Sequence, residues 1–186
     1  DASYQLLDRT SIALLLPYNA QSGPLGDVNG IGDLIIGVSQ DLQLKQGSGI
    51  TLSLGARLAT GDENKDPELP QRYQSGLGSN DVLFGLQYYM NSLYLGVGYQ
   101  IAGGRNNNAI TRLERGDDFL LRGGYKLAVN DFTFDPQLLI IKRVSKSSVL
   151  DHSSEEEEFL EVDDDQLQIN FLLNTQYALS AQSSLF

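Results

Sequence analysis

The chain has no cysteine, no tryptophan, one histidine and five prolines. Without a thiol there is no disulfide framework, no thiolate metal site and no cysteine nucleophile. A lone His152 removes multi-histidine metal sites and most triad chemistry. Positive charge is scarce: 13 Lys and Arg stand against 24 Asp and Glu, a net charge of −11. Such a chain repels phosphate backbones, so nucleic acid is excluded as a partner. Also missing is any apolar run near the ~20 residues that a membrane helix requires, and the mean hydropathy is only −0.21. Neither absence bears on a membrane barrel, whose strands need ~10 alternating residues each.

What is present is β-like. The 186 residues, 41% of them apolar, make one domain, 1–186. Nineteen Gly, nine Tyr and seven Phe come with almost no helical periodicity. Ile50, Leu52, Leu54, Ala56 and Leu58 alternate with Thr51, Ser53, Gly55, Arg57 and Ala59, a period of two. Val82 to Tyr89 and Leu93 to Ile101 repeat the pattern, and Leu167, Ile169, Phe171 and Leu173 carry it between Gln166 and Leu179. Ser11 to Tyr18, Asp33 to Leu44, Phe119 to Leu127 and Phe132 to Val144 complete a set of eight strands.

The connections are of two kinds. Lys45 to Gly49, Met90 to Ser92 and Val129 to Asp131 are hairpin turns. Asn19 to Gly32, Gly61 to Asn80, Gly103 to Asp118 and Ser145 to Asp165 are long and polar. Long and short alternate strictly, which gathers every long connection at one end of an up-and-down meander. Outer-membrane barrels have that asymmetry, whereas soluble barrels seldom need connections so unequal. The expected fold is therefore all-β: an antiparallel transmembrane barrel with eight strands recognisable.

Charge follows the same division. Nineteen of the 24 acidic residues lie in or beside the long connections, nine of them between Asp151 and Asp165. One face of the strands is nearly free of charge. The other carries Gln87, Gln100, Gln137, Gln168, Asn170 and Gln176, several glycines, and the charges Arg57, Arg122, Lys126, Arg143, Asp41 and Asp135. Amides and glycines with occasional opposite charges suit a lumen, while a solvated soluble sheet would be richer in Lys and Glu. The four basic residues are candidates to set a field for anionic solutes; the blander role, pairing with Asp41 and Asp135 to stiffen the wall, is favoured. Tyr18, Tyr88, Tyr99, Phe119, Tyr125 and Tyr177 fall toward strand ends in the apolar register, where aromatic girdles belong. On this reading arginine at Leu95 should be costly and arginine at Gln100 silent.

Several segments also resemble a known family. Leu6-Leu7-Asp8-Arg9-Thr10-Ser11-Ile12, Leu16-Pro17-Tyr18, Gly30-Ile31-Gly32-Asp33-Leu34-Ile35-Ile36-Gly37, Leu58-Ala59-Thr60-Gly61-Asp62 and Gly76-Leu77-Gly78-Ser79-Asn80-Asp81 are similar to the outer-membrane barrel family named for the MetA pathway of phenol degradation. The similarity covers the chain to about Gly104 and, through the hairpin pattern, the remainder. Ala59 departs from the proline that the family commonly has before Thr-Gly. The resemblance implies an outer-membrane transporter and carries over no catalytic or binding residue. Tyr4 to Arg9 then reads as the turn after a missing strand, and Leu185-Phe186 as the start of another, so the expectation is part of a barrel of more than eight strands.

Other chemistry is weaker. Gly26 to Gly30 and Gly61 to Asp66 look superficially like Ca²⁺ loops but lack EF-hand spacing. Glu155 to Glu158 with Asp163 to Asp165 could gather divalent cations, although like-charge runs are more often simply solvated. His152 beside Asp151 and Ser153 has triad residue types without triad geometry. Gly30, Gly32 and Gly37 precede no helix, so they are no dinucleotide site. No metal, cofactor or enzymatic activity is expected. The favoured reading is a channel or uptake protein of the Gram-negative outer membrane for small solutes, hydrophobic ones among them. It would be embedded among lipid and lipopolysaccharide. The alternative is a structural barrel with a plugged lumen whose long loops dock a protein partner.

Overall fold

The computed structural model describes residues 2–62, 74–104, 113–151, 158–162, 165–180 and 183–185. Its elements are all strands: β1 (Ala2–Leu7), β2 (Thr10–Leu15), β3 (Tyr18–Gly23), β4 (Gly26–Ile31), β5 (Leu34–Lys45), β6 (Ser48–Leu58), β7 (Asp81–Met90), β8 (Leu93–Ile101), β9 (Leu113–Glu114), β10 (Asp118–Tyr125), β11 (Leu127–Val129), β12 (Phe132–Arg143), β13 (Ser147–Asp151), β14 (Glu158–Val162), β15 (Leu167–Ser180) and β16 (Ser183–Leu185). The main sheet runs β1-β2-β5-β6-β7-β8-β10-β12-β15-β16, with β11 also on β12, and every pairing is antiparallel. All eight expected strands are there, in meander order.

The tight turns are built where the sequence offers residues that tolerate a left-handed backbone. Gly47 (φ 77°) closes β5 to β6, Asn91 (φ 53°) closes β7 to β8, and Asn130 (φ 54°) closes β11 to β12. These turns fix the register. A slip of one residue would exchange the two faces of every strand.

Three expectations need correction. Tyr4 to Arg9 is not a turn alone: β1 is a strand paired to β2, with Asp8-Arg9 as the turn. The long connections are also not plain loops. All of Asn19 to Gly32 except its last residue lies within the β3-β4 hairpin, and parts of the connections after β8 and β12 form a second sheet, β14-β13-β9. Once the chain leaves the main sheet its amides still need acceptors, and pairing with itself supplies them. Tyr18 therefore opens β3 and is 66% exposed, away from the strand ends of the main sheet.

The apolar side chains do not make a core. Among the described residues only Val28 and Tyr94 are buried apolar side chains. Ile36, Val38, Leu52, Leu54, Phe84, Leu86, Leu95, Val97, Leu138, Ile169 and Phe171 are all exposed, on one face of the main sheet. Aromatic residues mark both ends of that face. Phe84, Tyr99 and Phe119 are register partners toward the long connections. Near the turns, Phe132 packs on Tyr177 (4.8 Å between ring centres) and Phe134 (6.0 Å). Phe119 and Tyr125 lie six positions apart on β10, about 20 Å of strand.

Candidate functional site

Directly opposed residues of neighbouring strands point to the same side, so register defines the polar face row by row. One row runs Asp41, Thr51, Gln87, Gly96, Arg122, Leu139, Asn170. The second row on toward the long connections, beyond that of Ser53, Gly85, Gly98, Leu120 and Ile141, runs Gly55, Leu83, Gln100, Asp118, Arg143. Arg57 opposes Asp81 one step further, and Asp135 lies two positions before Gln137 on β12. Five of the six candidate residues thus share a face. Lys126 falls in the break between β10 and β11, where its amide donates to Ser92 O (2.9 Å) and its side chain is exposed.

The ion pairs differ from those expected. Neither Asp41 nor Asp135 pairs with an arginine among the described residues. Arg57 Nη1 donates to Asp81 Oδ2 (2.9 Å), and the Asp81 side chain is fully buried. The same oxygen accepts Gln100 Nε2 (2.5 Å), while Asp81 Oδ1 accepts Gly103 N–H (3.0 Å). Arg143 Nε and Arg115 Nη2 each take one oxygen of Asp118 (3.1 and 2.7 Å). Nearer the turns, Arg122 places Nε and Nη2 on Gln137 Oε1 (3.0 and 2.6 Å). Gln137 Nε2 passes the link to Asp135 (2.7 Å), whose other oxygen accepts the Tyr94 hydroxyl (2.8 Å). Asp41 accepts the Thr51 hydroxyl (2.5 Å).

Two amides expected to be wet are therefore structural. Gln100 and Gln137 are buried: Gln100 donates to Asp81 on the neighbouring strand, and Gln137 links Arg122 on the neighbouring strand to Asp135 on its own. Arginine at Gln100 would not be silent, since it would displace a donor to Asp81. One charge also sits on the apolar face: Lys142, at its edge by the long connections, paired with Asp165.

Sequence reasoning missed the residues that organise this end of the sheet. Asp33 sits in front of β5 and is buried; its oxygens accept the N–H groups of Gly61 (3.0 Å) and Leu77 (2.7 Å). A methyl group on Gly61 would come within 2.7 Å of Gly76 Cα and 2.9 Å of the Gly32 carbonyl carbon. Three of the segments that carry the family resemblance, around Gly32-Asp33, Gly61-Asp62 and Gly76-Leu77, are thus packed backbone to backbone. A signal existed. An aspartate leads into each main-sheet strand that follows a long connection: Asp33, Asp81, Asp118 and Asp165. Counting them as loop charge concealed their role.

No group of three or more potential metal ligands occurs among the described residues. Gly26 to Gly30 belongs to β4, paired with β3, and is not a loop. His152, Glu155, Asp163 and Asp164 and most of Gly61 to Asp66 lie outside the described residues, as does Phe186.

No family model and no curated protein matches the chain. Among solved structures, the crystal structure of an outer membrane channel from Pseudomonas putida F1 is similar, with a TM-score of 0.68 and 19% identity over 96% of this chain and 68% of that one. This supports the outer-membrane barrel part of the sequence resemblance and does not reach the pathway for which that family is named. Among the described residues no pairing joins β1 to β16, so the sheet has two edges. The chain has the up-and-down antiparallel fold of an outer-membrane β-barrel.

Proposed function

We propose that this chain forms wall and mouth of a channel in the outer membrane of a Gram-negative bacterium, passing small solutes, hydrophobic ones among them, and catalysing no reaction. The observation that carries the reading is the division of the main sheet. Large apolar side chains are exposed on one face, and the other carries hydrogen-bonded clusters of Arg, Asp, Gln and Tyr. Only lipid gives the first face a favourable environment, because the described residues provide no second layer to cover it. Lipid and lipopolysaccharide would surround that band, and the polar face would line the path. The likeness to a channel supports the same reading, and the free edges of the sheet leave room for further strands.

Reconstitution tests it. The chain, refolded in detergent and added to a planar bilayer, is expected to give discrete conductance steps in KCl, and its liposomes to admit small neutral solutes. Insertion with neither conductance nor uptake would replace the channel by the structural barrel with a plugged lumen, whose long connections dock a protein partner.

A further inference from the structure

We infer that the polar face holds, at the end of the long connections, a binding site for small organic monocarboxylates. The inference rests on the channel reading, for which it supplies a solute class. The site is a depression of about 240 Å³ whose lining includes Arg57, Arg115 and Arg143 together with Leu77, Leu120 and Ile141.

Charge comes first. Three guanidinium groups meet two carboxylates, Asp81 and Asp118, so these five side chains carry one net positive charge. The carboxylates are already committed. Both oxygens of Asp118 hold an arginine, and Asp81 serves Arg57, Gln100 and Gly103. Arg115 spends Nη2 on Asp118, yet its Nε is buried and takes no acceptor among the described residues. A buried guanidinium nitrogen without an acceptor is uncommon in folded proteins and asks for one. A carboxylate answers it best, since its two oxygens match the guanidinium fork.

The walls then choose the rest of the ligand. Leu77, Leu120 and Ile141 offer hydrocarbon beside the arginines, and register places Leu120 against Ile141 directly. An inorganic anion would leave those side chains unused, and a dianion would exceed the single positive charge. A volume of 240 Å³ admits one ring or a short aliphatic chain.

The test is titration of the full chain, folded in detergent micelles, with sodium benzoate, benzamide and inorganic phosphate, followed by calorimetry. Saturable one-to-one binding of benzoate is expected, with benzamide and phosphate at least roughly tenfold weaker. Arg115→Gln should weaken benzoate by a similar factor. Gln168→Glu, a change at an exposed lining residue, should do the same by repulsion and guards against misfolding of the first variant. Equal binding of benzoate and benzamide, phosphate binding as tight as benzoate, or benzoate binding unchanged in both folded variants would overturn the inference. KCl conductance without benzoate binding would sink this inference and leave the channel standing; benzoate binding without conductance would do the reverse.

Discussion

At the scale of single residues, Asp81 concentrates the most interaction in the least space. Its carboxylate is fully buried and meets a guanidinium, an amide and a backbone N–H. Removing one partner of a buried pair leaves the other charge uncompensated, which is worse than never having had the pair. Asp81→Ala should therefore destabilise the protein by about 3–5 kcal/mol, measured as a shift in a reversible urea titration in detergent or lipid. Asp81→Asn should cost less, because its carbonyl still accepts from Arg57. Equal losses for the two variants would show that the charge of Asp81 carries the whole effect and its remaining hydrogen bonds carry none; a silent Asp81→Asn would show that the charge does not matter. This residue was hidden in the sequence by its position. An Asp beside a polar stretch reads as loop charge, and only the register that opposes it to Arg57 reveals a buried pair.

Strands were far more legible, for a physical reason. A half-apolar strand must alternate, and alternation is a local property that needs no knowledge of the partner. Leu93 to Ile101 was readable to its last residue, and the Asn-containing turns declared themselves in the same way. The β3-β4 hairpin was not, because Asn19 to Gly32 is mostly polar and glycine-rich and buries the single apolar side chain of Val28, too little to set up an alternation. Structure also improves the choice of position for testing the faces. On β8, Val97 lies midway between Leu93 and Ile101, whereas Leu95 is only two residues from the turn-side end. Val97→Arg should cost roughly 2–4 kcal/mol, the penalty of a charge at mid-bilayer on a barrel wall. Asn170→Arg, on the polar face in the row of Arg122, should stay within about 0.5 kcal/mol. The same cost at both positions in a folding titration would reverse the assignment of the faces.

For the whole molecule, formal charge is a poor guide to what a solute on the polar face would meet. The acidic excess is concentrated at the long connections, and a Debye length near 8 Å in physiological salt confines its reach. Within the sheet, Arg57, Arg115 and Arg143 are matched by aspartates, while Arg122 bonds to a neutral amide and Lys126 has no ion pair among the described residues. Toward the turns those two positive charges face Asp41 and Asp135, which are held by neutral partners, so the field there is close to balanced. Changing Arg122 and Lys126 to Gln is expected to move the reversal potential, measured across a KCl gradient, toward cations; an unchanged potential would mean that ions do not pass along this face. The packing of Gly61 on Gly76 has its own consequence. Gly76 N–H donates to Asp62 O (3.1 Å) and Asp62 N–H donates to Ser75 Oγ (3.3 Å), so the two limbs of that connection are clamped before they leave the sheet. Closure is thereby set at the base and not by the chain beyond it. Lengthening the segment between Asp62 and Ser75 to twice its span would add only about 0.6 kcal/mol of closure entropy. That makes this connection the natural place for sequence to diverge, or for a foreign peptide to be carried, without disturbing the pairing of β6 and β7.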